Sequence, residues 1–345
     1  MEEIKIKHKQ HYVFQAYLKN WATNDQIWCC RNKNNRFLTN TINIAQERNF
    51  YRVKDLNTDE EKFILMFLHN QPQEIIDIMR KHMEIYRKPL SWQQGVKGFN
   101  SAIKSTFYKN RPIPKNVNDA FIYVERFAEA AVNDMIEDIY CDEEGELITM
   151  LNFLTQGDVS FYYQPYHKPD MLFDDSKRAF LYYVCSQHFR TKAARSRLIE
   201  GLNDVIKDDM LKNFGIKNNN LRPEHMTYHI LWFIAGRVAD VLYDKNAHLT
   251  LLHNKTDIPF ITTDQPIINL MADYQDITDQ ASDILYYYPI SSQLAITIND
   301  NNIDDAIVLT REEVDEYNKA LISASYECVF SNSKEVFDQY FSTTQ

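Results

Sequence analysis

The apolar periodicity of this chain changes twice along its length, and that constrains the fold more than any single motif. From Thr58 the large apolar residues Phe63, Phe67, Ile75, Ile78 and Met79 recur at three- and four-residue spacing, the stripe of an amphipathic helix. That spacing makes Thr58 the expected N-cap and Glu61 its capping-box partner. Further helices are expected over 91–107, 117–140, 176–214 with a break near Gly201, and 223–243. Before this block, Ile27-Trp28-Cys29-Cys30 and Phe37-Leu38-Thr39 read as strands around an Asn32-Lys33-Asn34-Asn35 turn. After Lys245 strand texture returns at 249–252, 259–262, 284–288 and 294–298, followed by a helix over 311–323 and a strand over 327–330. Asn299 to Asp305 reads as a solvated hairpin loop and Lys217 to Asn220 as a surface turn. The N-terminal strands are too few for a core of their own. An α+β fold is therefore expected, with a large helical middle region packed against a mixed sheet made from N-terminal and C-terminal strands. It is expected to be a single interwoven domain over 1–345, divided into a β-rich segment (1–56), a helical region (57–246) and a mixed α/β segment (247–345).

The 345 residues are 44% hydrophobic and 25% charged, with a mean hydropathy of -0.47, values of a soluble globular chain. No apolar run approaches the roughly eighteen residues of a membrane span, and MEEIKIKHKQHY lacks the apolar core of a secretory signal. A cytoplasmic protein with no membrane partner is expected. The five cysteines form no CxxC pair and read as reduced thiols. Cys29 and Cys30 fall on the expected strand, where neighbours point to opposite faces, which disfavours joint ligation of one metal. A net charge of -10 opposes nonspecific attraction to nucleic acid, leaving a local basic groove as the only route to it. With only 7 glycines, a glycine-rich phosphate loop is not expected; 21 tyrosines and 20 phenylalanines point instead to an aromatic core.

Polar residues embedded among aromatics must find hydrogen-bond partners or leave the core, so their placement marks candidate sites. Four segments stand out: His11 to Gln15, Gln187 to Thr191, Thr262 to Pro266, and Tyr288 to Ser291. His8 and His11 form an HxxH, yet no third ligand sits at a recognisable spacing, so no metal site is assigned and a divalent cofactor is not indicated. His11 reads either as a buried hydrogen-bonding anchor or as a general base. Gln15 can bond main chain or face a ligand. On one helix face Gln187 and Arg190 would offer an amide and a guanidinium to the same anion, the alternative for Arg190 being an internal ion pair with Asp264 or another carboxylate. Lys192, Arg195 and Arg197 read as an exposed basic helix end. Asp264 sits in a turn rigidified by Pro266, where it bonds backbone amides or orients His11, Arg190 or a metal. Thr263 and Ser291 are candidate ligand-binding hydroxyls. Tyr286-Tyr287-Tyr288 would split between core and surface on a strand, and no GxSxG elbow surrounds Ser291 or Ser292.

The ordered set resembles a bacterial family, domain of unknown function 4238. The residues that carry the resemblance are His11-Tyr12-Val13-Phe14-Gln15-Ala16-Tyr17-Leu18-Lys19-Asn20, Asn49-Phe50-Tyr51, Gln187-His188-Phe189-Arg190-Thr191, Phe260 to Pro266, Tyr288-Pro289-Ile290-Ser291 and Asn318. Phe14 stands where the family usually has proline, and Thr263 where serine is usual. The resemblance implies a single full-length domain and marks His11, Gln15, Gln187, Arg190, Asp264 and Ser291. Members are found as stand-alone bacterial proteins, some in defence-related neighbourhoods. The functional expectation is a pocket that binds, and hydrolyses in the manner of a phosphodiesterase or nuclease, a nucleotide or nucleic-acid phosphate. In it His11, Arg190 and Asp264 are catalytic, and Gln15, Gln187, Thr263 and Ser291 bind ligand. The alternative is a non-catalytic ligand-sensing or protein-interaction module. Convergence of His11, Arg190 and Asp264 would support the first.

Overall fold

The computed structural model describes residues 3–167, 173–207, 209–276, 281–300 and 304–341. In the N-terminal part the elements are β1 (Lys9–His11), α1 (Gln15–Leu18), β2 (Gln26–Arg31), β3 (Asn35–Asn40) and β4 (Gln46–Arg48). Helices follow: α2 (Thr58–Met66), α3 (Gln73–Phe107), α4 (Lys115–Thr155), α5 (Ser160–Tyr163), α6 (Ser176–Phe189), α7 (Lys192–Ile206) and α8 (Pro223–Asp244). Then come β5 (His248–Asn254), β6 (Thr262–Thr263), β7 (Ile268–Asn269), β8 (Tyr286–Pro289), β9 (Leu294–Asn299) and β10 (Ala306–Leu309). The last are α9 (Arg311–Ala324), β11 (Cys328–Ser331) and α10 (Val336–Tyr340). The fold is α+β. It divides into two compact units, each assembled from three separate stretches of chain.

The first unit comprises residues 1–10, 47–142 and 206–229, and is helical. Its α2 is capped one residue earlier than the spacing predicts: the Asn57 side chain accepts from the Asp59 and Glu60 amides at 2.9 and 3.0 Å, and Glu60 accepts from the Asn57 amide at 2.8 Å. Asn57 is in extended conformation, the geometry of a cap, while Thr58 is already helical. Burial pushes the Glu60 carboxyl up, but the Arg222 guanidinium and the Asn57 amide outweigh it and hold the group below its usual range. The chain then breaks at Gln71-Pro72, so the 58–79 stripe belongs to two helices. The second of them, α3, runs from Gln73 straight through Pro89. An interior proline costs a helix about 3 kcal/mol. Met79, Met83 and Tyr86 before it, with Gln93 and Asn100 after it, are buried on one side of α3 and hold it together. Beside them His82 and His229 meet edge to face at 5.1 Å. Burial lowers His82 to about 2 and His229 to about 4, so both rings are neutral.

The second unit comprises residues 11–46, 143–205 and 230–345 and holds two sheets. One has the order β3-β2-β11-β6, antiparallel throughout. It joins the N-terminal hairpin to C-terminal strands as expected. The hairpin turn uses left-handed backbone at Asn32 (φ 51°) and Lys33 (φ 64°), the twist-compatible geometry of a tight turn. The other sheet, order β10-β5-β9-β8-β7, is built from C-terminal strands alone and pairs β10 with β5 in parallel. Two sheets thus stand where one mixed sheet was expected. Of the expected 259–262 strand only Thr262 joins a ladder, together with Thr263 beyond it. Upstream, the Phe260 amide donates to the Ser292 carbonyl and the Ile261 amide to Asn318 Oδ1. Tyr286, Tyr287 and Tyr288 are all buried, because that sheet is covered on both faces; Tyr287 stacks on Tyr317 at 4.5 Å and Tyr288 on Tyr17 at 5.1 Å. Part of the Asn299 to Asp305 loop lies outside the described residues.

Two helix boundaries near the site also differ from expectation. The 176–214 helix ends at Phe189 rather than near Gly201, and Thr191 restarts it by accepting from the Ala194 amide at 3.2 Å. A side-chain cap available at Thr191 defines the break better than a tolerated interior glycine. Meanwhile α4 continues past Tyr140 to Thr155. Among the described residues, no helix is long and apolar enough to cross a membrane.

Candidate functional site

A carboxylate pair from α4 and the end of α6 build a buried polar cluster in the second unit. Ile136, Tyr140, Leu147, Met150 and Leu151 mark the buried stripe of α4, and Glu143 falls on that stripe. Its carboxylate accepts from Ser186 Oγ at 2.7 Å and is also bonded by Tyr182. Burial raises the Glu143 carboxyl to about 7, against the lowering pull of Ser186 and of the Arg190 guanidinium. Glu144, the next residue, pairs with Arg190. The Arg190 side chain is completely shielded from solvent, and it also donates to the His11 carbonyl at 3.1 Å. Such a charge is retained only with a partner at hand.

Two neutral donors complete the cluster. Gln187 is buried and its Nε2 has no hydrogen-bond partner among the described residues. The Tyr288 hydroxyl is buried and equally without one, and it feels the charges of Arg190 and Glu144. Unsatisfied buried donors cost about 1–3 kcal/mol each, so they mark places where an additional acceptor would be accommodated. The cluster reaches solvent at His11 and Glu144, which are partly exposed.

Of the expected residues, the structure bonds Arg190 to the main-chain carbonyl of His11, while Gln187 follows Ser186, the partner of Glu143, in α6. Gln187 lies in the last turn of α6 and Arg190 is its C-cap, still in helical backbone conformation with its amide donating to the Ser186 carbonyl at 3.0 Å. The other candidates have different employment. Asp264 accepts from the Tyr326, Glu327 and Cys328 amides at 2.9, 2.7 and 2.9 Å, so its carboxylate neither orients His11 nor pairs with Arg190. Burial is the larger influence on it and raises its pKa despite these three donors. Thr263 Oγ1 bonds the Gln265 carbonyl and amide, closing its own turn. Gln265 ties that turn to the α6–α7 junction through Thr191 and the His188 carbonyl. Ser291 Oγ accepts from the Gln293 and Leu294 amides at the hairpin between β8 and β9. Gln15 Nε2 donates to Thr41 Oγ1 at 3.1 Å.

The remaining candidates are also settled locally. His8 bonds Asn49 at 2.9 Å, and β1 extends the HxxH so that its two residues do not share a helix face. Among the described residues no three His, Cys, Asp or Glu side chains gather to hold a metal ion. The expected basic helix end is engaged as well: Lys192 pairs with Glu327 at 3.0 Å, and Arg197 donates to the Ala324 carbonyl beneath the Tyr274 ring. Glu143 and Glu144 were not legible as site residues, since Asp142-Glu143-Glu144-Gly145-Glu146 reads as a solvated acidic run. The missed signal is phase: Glu143 lies three residues after Tyr140 and four before Leu147, inside the apolar stripe.

Comparison with known proteins adds a classification. The model of the family described as protein of unknown function (DUF4238) matches residues 9–335. No curated protein and no solved structure matches the chain.

Proposed function

The chain belongs to the DUF4238 family, and from that premise we propose that its Glu143–Arg190 cluster binds and hydrolyses a phosphate-containing ligand, a nucleotide or a nucleic-acid end. The observation that carries this reading is a fully shielded guanidinium beside a buried carboxyl held near pH 7. Arginine's planar fork suits bidentate capture of phosphate. An incoming phosphoryl group exchanges with Glu144, the partly exposed partner, and receives further donors from Tyr288 and Gln187. Its negative charge keeps the neighbouring Glu143 protonated, which makes that group the acid. His11 takes a proton from the attacking water as oxygen bonds to phosphorus. The leaving oxygen departs with its electron pair and collects the proton from Glu143.

A cytoplasmic setting suits the reading, because nucleotides are abundant there and the exposed Cys141 forms no disulfide. One observation favours a second reading: the Arg190–Glu144 pair is an internal occupant that an anion displaces without any chemistry, as a ligand-sensing module requires. Incubation with nucleotide, RNA and DNA pools, with and without magnesium or manganese, separates the two. Product detected by mass spectrometry, lost in Glu143→Gln, supports hydrolysis. Ligand-induced thermal stabilisation that disappears in Arg190→Lys, with no product from wild type, leaves the sensing reading. Neither product nor stabilisation with any pool refutes both.

A further inference from the structure

In the first unit a cavity of about 390 Å³ opens between the start of α2 and the middle of α3. On the α3 side Arg87, Ser91 and Gln94 fall at three- and four-residue spacing, so they line it as one stripe. Asp55, Thr58 and Glu61 line it from the other side. Its volume lies within the range of small-molecule sites, roughly 300–1,000 Å³. Arg87 and Glu61 pair across it, and both are partly exposed. The other four residues are open to a ligand: among the described residues the Asp55 carboxylate and the Thr58, Ser91 and Gln94 side chains have no hydrogen-bond partner.

A narrower recess adjoins this mouth, shares Asp55, Leu56, Arg87 and Leu90 with it, and has room for about 10 Å³. That volume suits a single water-sized group. His229 lines the recess; it is buried, and among the described residues its Nδ1 has no hydrogen-bond partner. Edge-to-face contacts with His82 at 5.1 Å and Tyr86 at 5.7 Å fix its ring. The imidazole is neutral, so its nitrogen donates or accepts according to tautomer without adding charge. An orphaned buried polar atom marks a place where a partner is accommodated.

Charge decides what fits. Arg87, together with Lys54 in the recess, balances Asp55 and Glu61, so the lining is neutral as a whole yet carries both signs. An anion that takes Arg87 strands Glu61, and a cation that takes Glu61 strands Arg87. A zwitterion inserts into the pair and leaves both ends compensated. Exposed ion pairs contribute little net stability, so this one opens at small cost. We propose that the pocket binds a free α-amino acid with a short polar side chain. Its carboxylate sits on the Arg87 guanidinium, whose fork captures carboxylates bidentately. The ammonium group meets Glu61 and Asp55, and the side-chain polar atom points towards His229. This site shares no residue with the Glu143–Arg190 cluster.

Isothermal titration calorimetry of the full chain with L-serine, L-asparagine and L-glutamine is the test, with L-leucine for comparison. At least one of the three is expected to bind with a Kd below about 1 mM, and leucine at least tenfold more weakly, since it leaves His229 unpaired. The N-acetyl and carboxamide derivatives of the tightest of the three carry one charge each and should lose about tenfold or more, the weight of one charge-assisted contact. Arg87→Gln and Glu61→Gln should each weaken binding to the same degree, with the circular dichroism spectrum unchanged. Ser91→Trp, at an exposed helix position, fills the mouth and should abolish binding; it decides the matter if either charge variant fails to fold. Neither heat nor thermal stabilisation with any of the three at about 10 mM overturns the proposal. So does binding that survives Ser91→Trp, or equal affinity for leucine or for a singly charged derivative.

Discussion

Replacing Glu143 by glutamine is expected to reshape the pH dependence of stability in a defined direction. The folded-state pKa of this carboxyl is raised from its ordinary 4.5 to about 7, chiefly by burial. Between those values the folded chain binds a proton that the unfolded chain has released. The contribution favouring the fold is therefore complete below about pH 4.5 and is lost as pH rises towards 7. At 1.36 kcal/mol per unit, the interval is worth about 3 kcal/mol. Glutamine is isosteric, can still accept from Ser186, and does not ionise. The variant should match wild type near pH 4.5 and exceed it by about 2–3 kcal/mol at pH 8, the remainder being lost to weaker bonds with Ser186 and Arg190. Urea unfolding of both proteins in parallel buffers from pH 4.5 to 8 supplies the measurement, and other titrating groups cancel in the difference. A difference curve that is flat over this range would refute a buried, uncharged Glu143, and with it the acid role.

Asp264→Ala should cost about 4–6 kcal/mol in urea unfolding, because three backbone amides lose a charged acceptor; a loss under about 1 kcal/mol would contradict the structural role. In a double-mutant cycle, Arg190→Met alone should destabilise by about 3 kcal/mol and Arg190→Met/Glu144→Met by clearly less, since the single change strands a carboxylate. His229 works with the opposite sign to Glu143. Its pKa is lowered to about 4, so stability is complete above the unfolded value of 6.5 and is lost as pH falls towards 4; His229→Phe should shift the acid-unfolding midpoint downward. Asn57→Ala should cost about 1 kcal/mol and Thr58→Ala a few tenths, measured by thermal denaturation, which locates the cap.

What could be read from the chain was whatever local periodicity controls. The hairpin around Asn32, the helical block and the strands after Lys245 follow from spacing and turn chemistry, and so does the joining of N-terminal strands to C-terminal ones. Errors arose where two local signals compete. Asn57 and Thr58 are both good caps, and only the backbone geometry decides between them. Thr191 ends a helix that Gly201 was expected to end, because a capping hydroxyl outweighs a flexible residue that a helix tolerates. The site divides along the same line. His11 and Arg190 stood out by residue type, and they meet through the His11 main-chain carbonyl rather than its imidazole. Asp264 and Thr263 stood out equally, yet their partners are amides more than sixty residues away in the first case and two residues away in the second, which residue type does not distinguish. Glu143 was hidden because an acidic run suggests solvent even where its phase places one member inside.

The pairing of β2 with β11 has a consequence for how the protein is made. Cys30 lies opposite Val329, so roughly 300 residues leave the ribosome between the two sides of one ladder. Until the later strand arrives, one edge of the N-terminal hairpin and the edge of β6 present unpaired backbone groups, the template on which nascent chains associate. Contacts of such sequence separation also close slowly. A ribosome stalled short of Cys328 would release a chain with both edges open, and the same chain should depend on chaperone capture during synthesis far more than its finished stability would suggest.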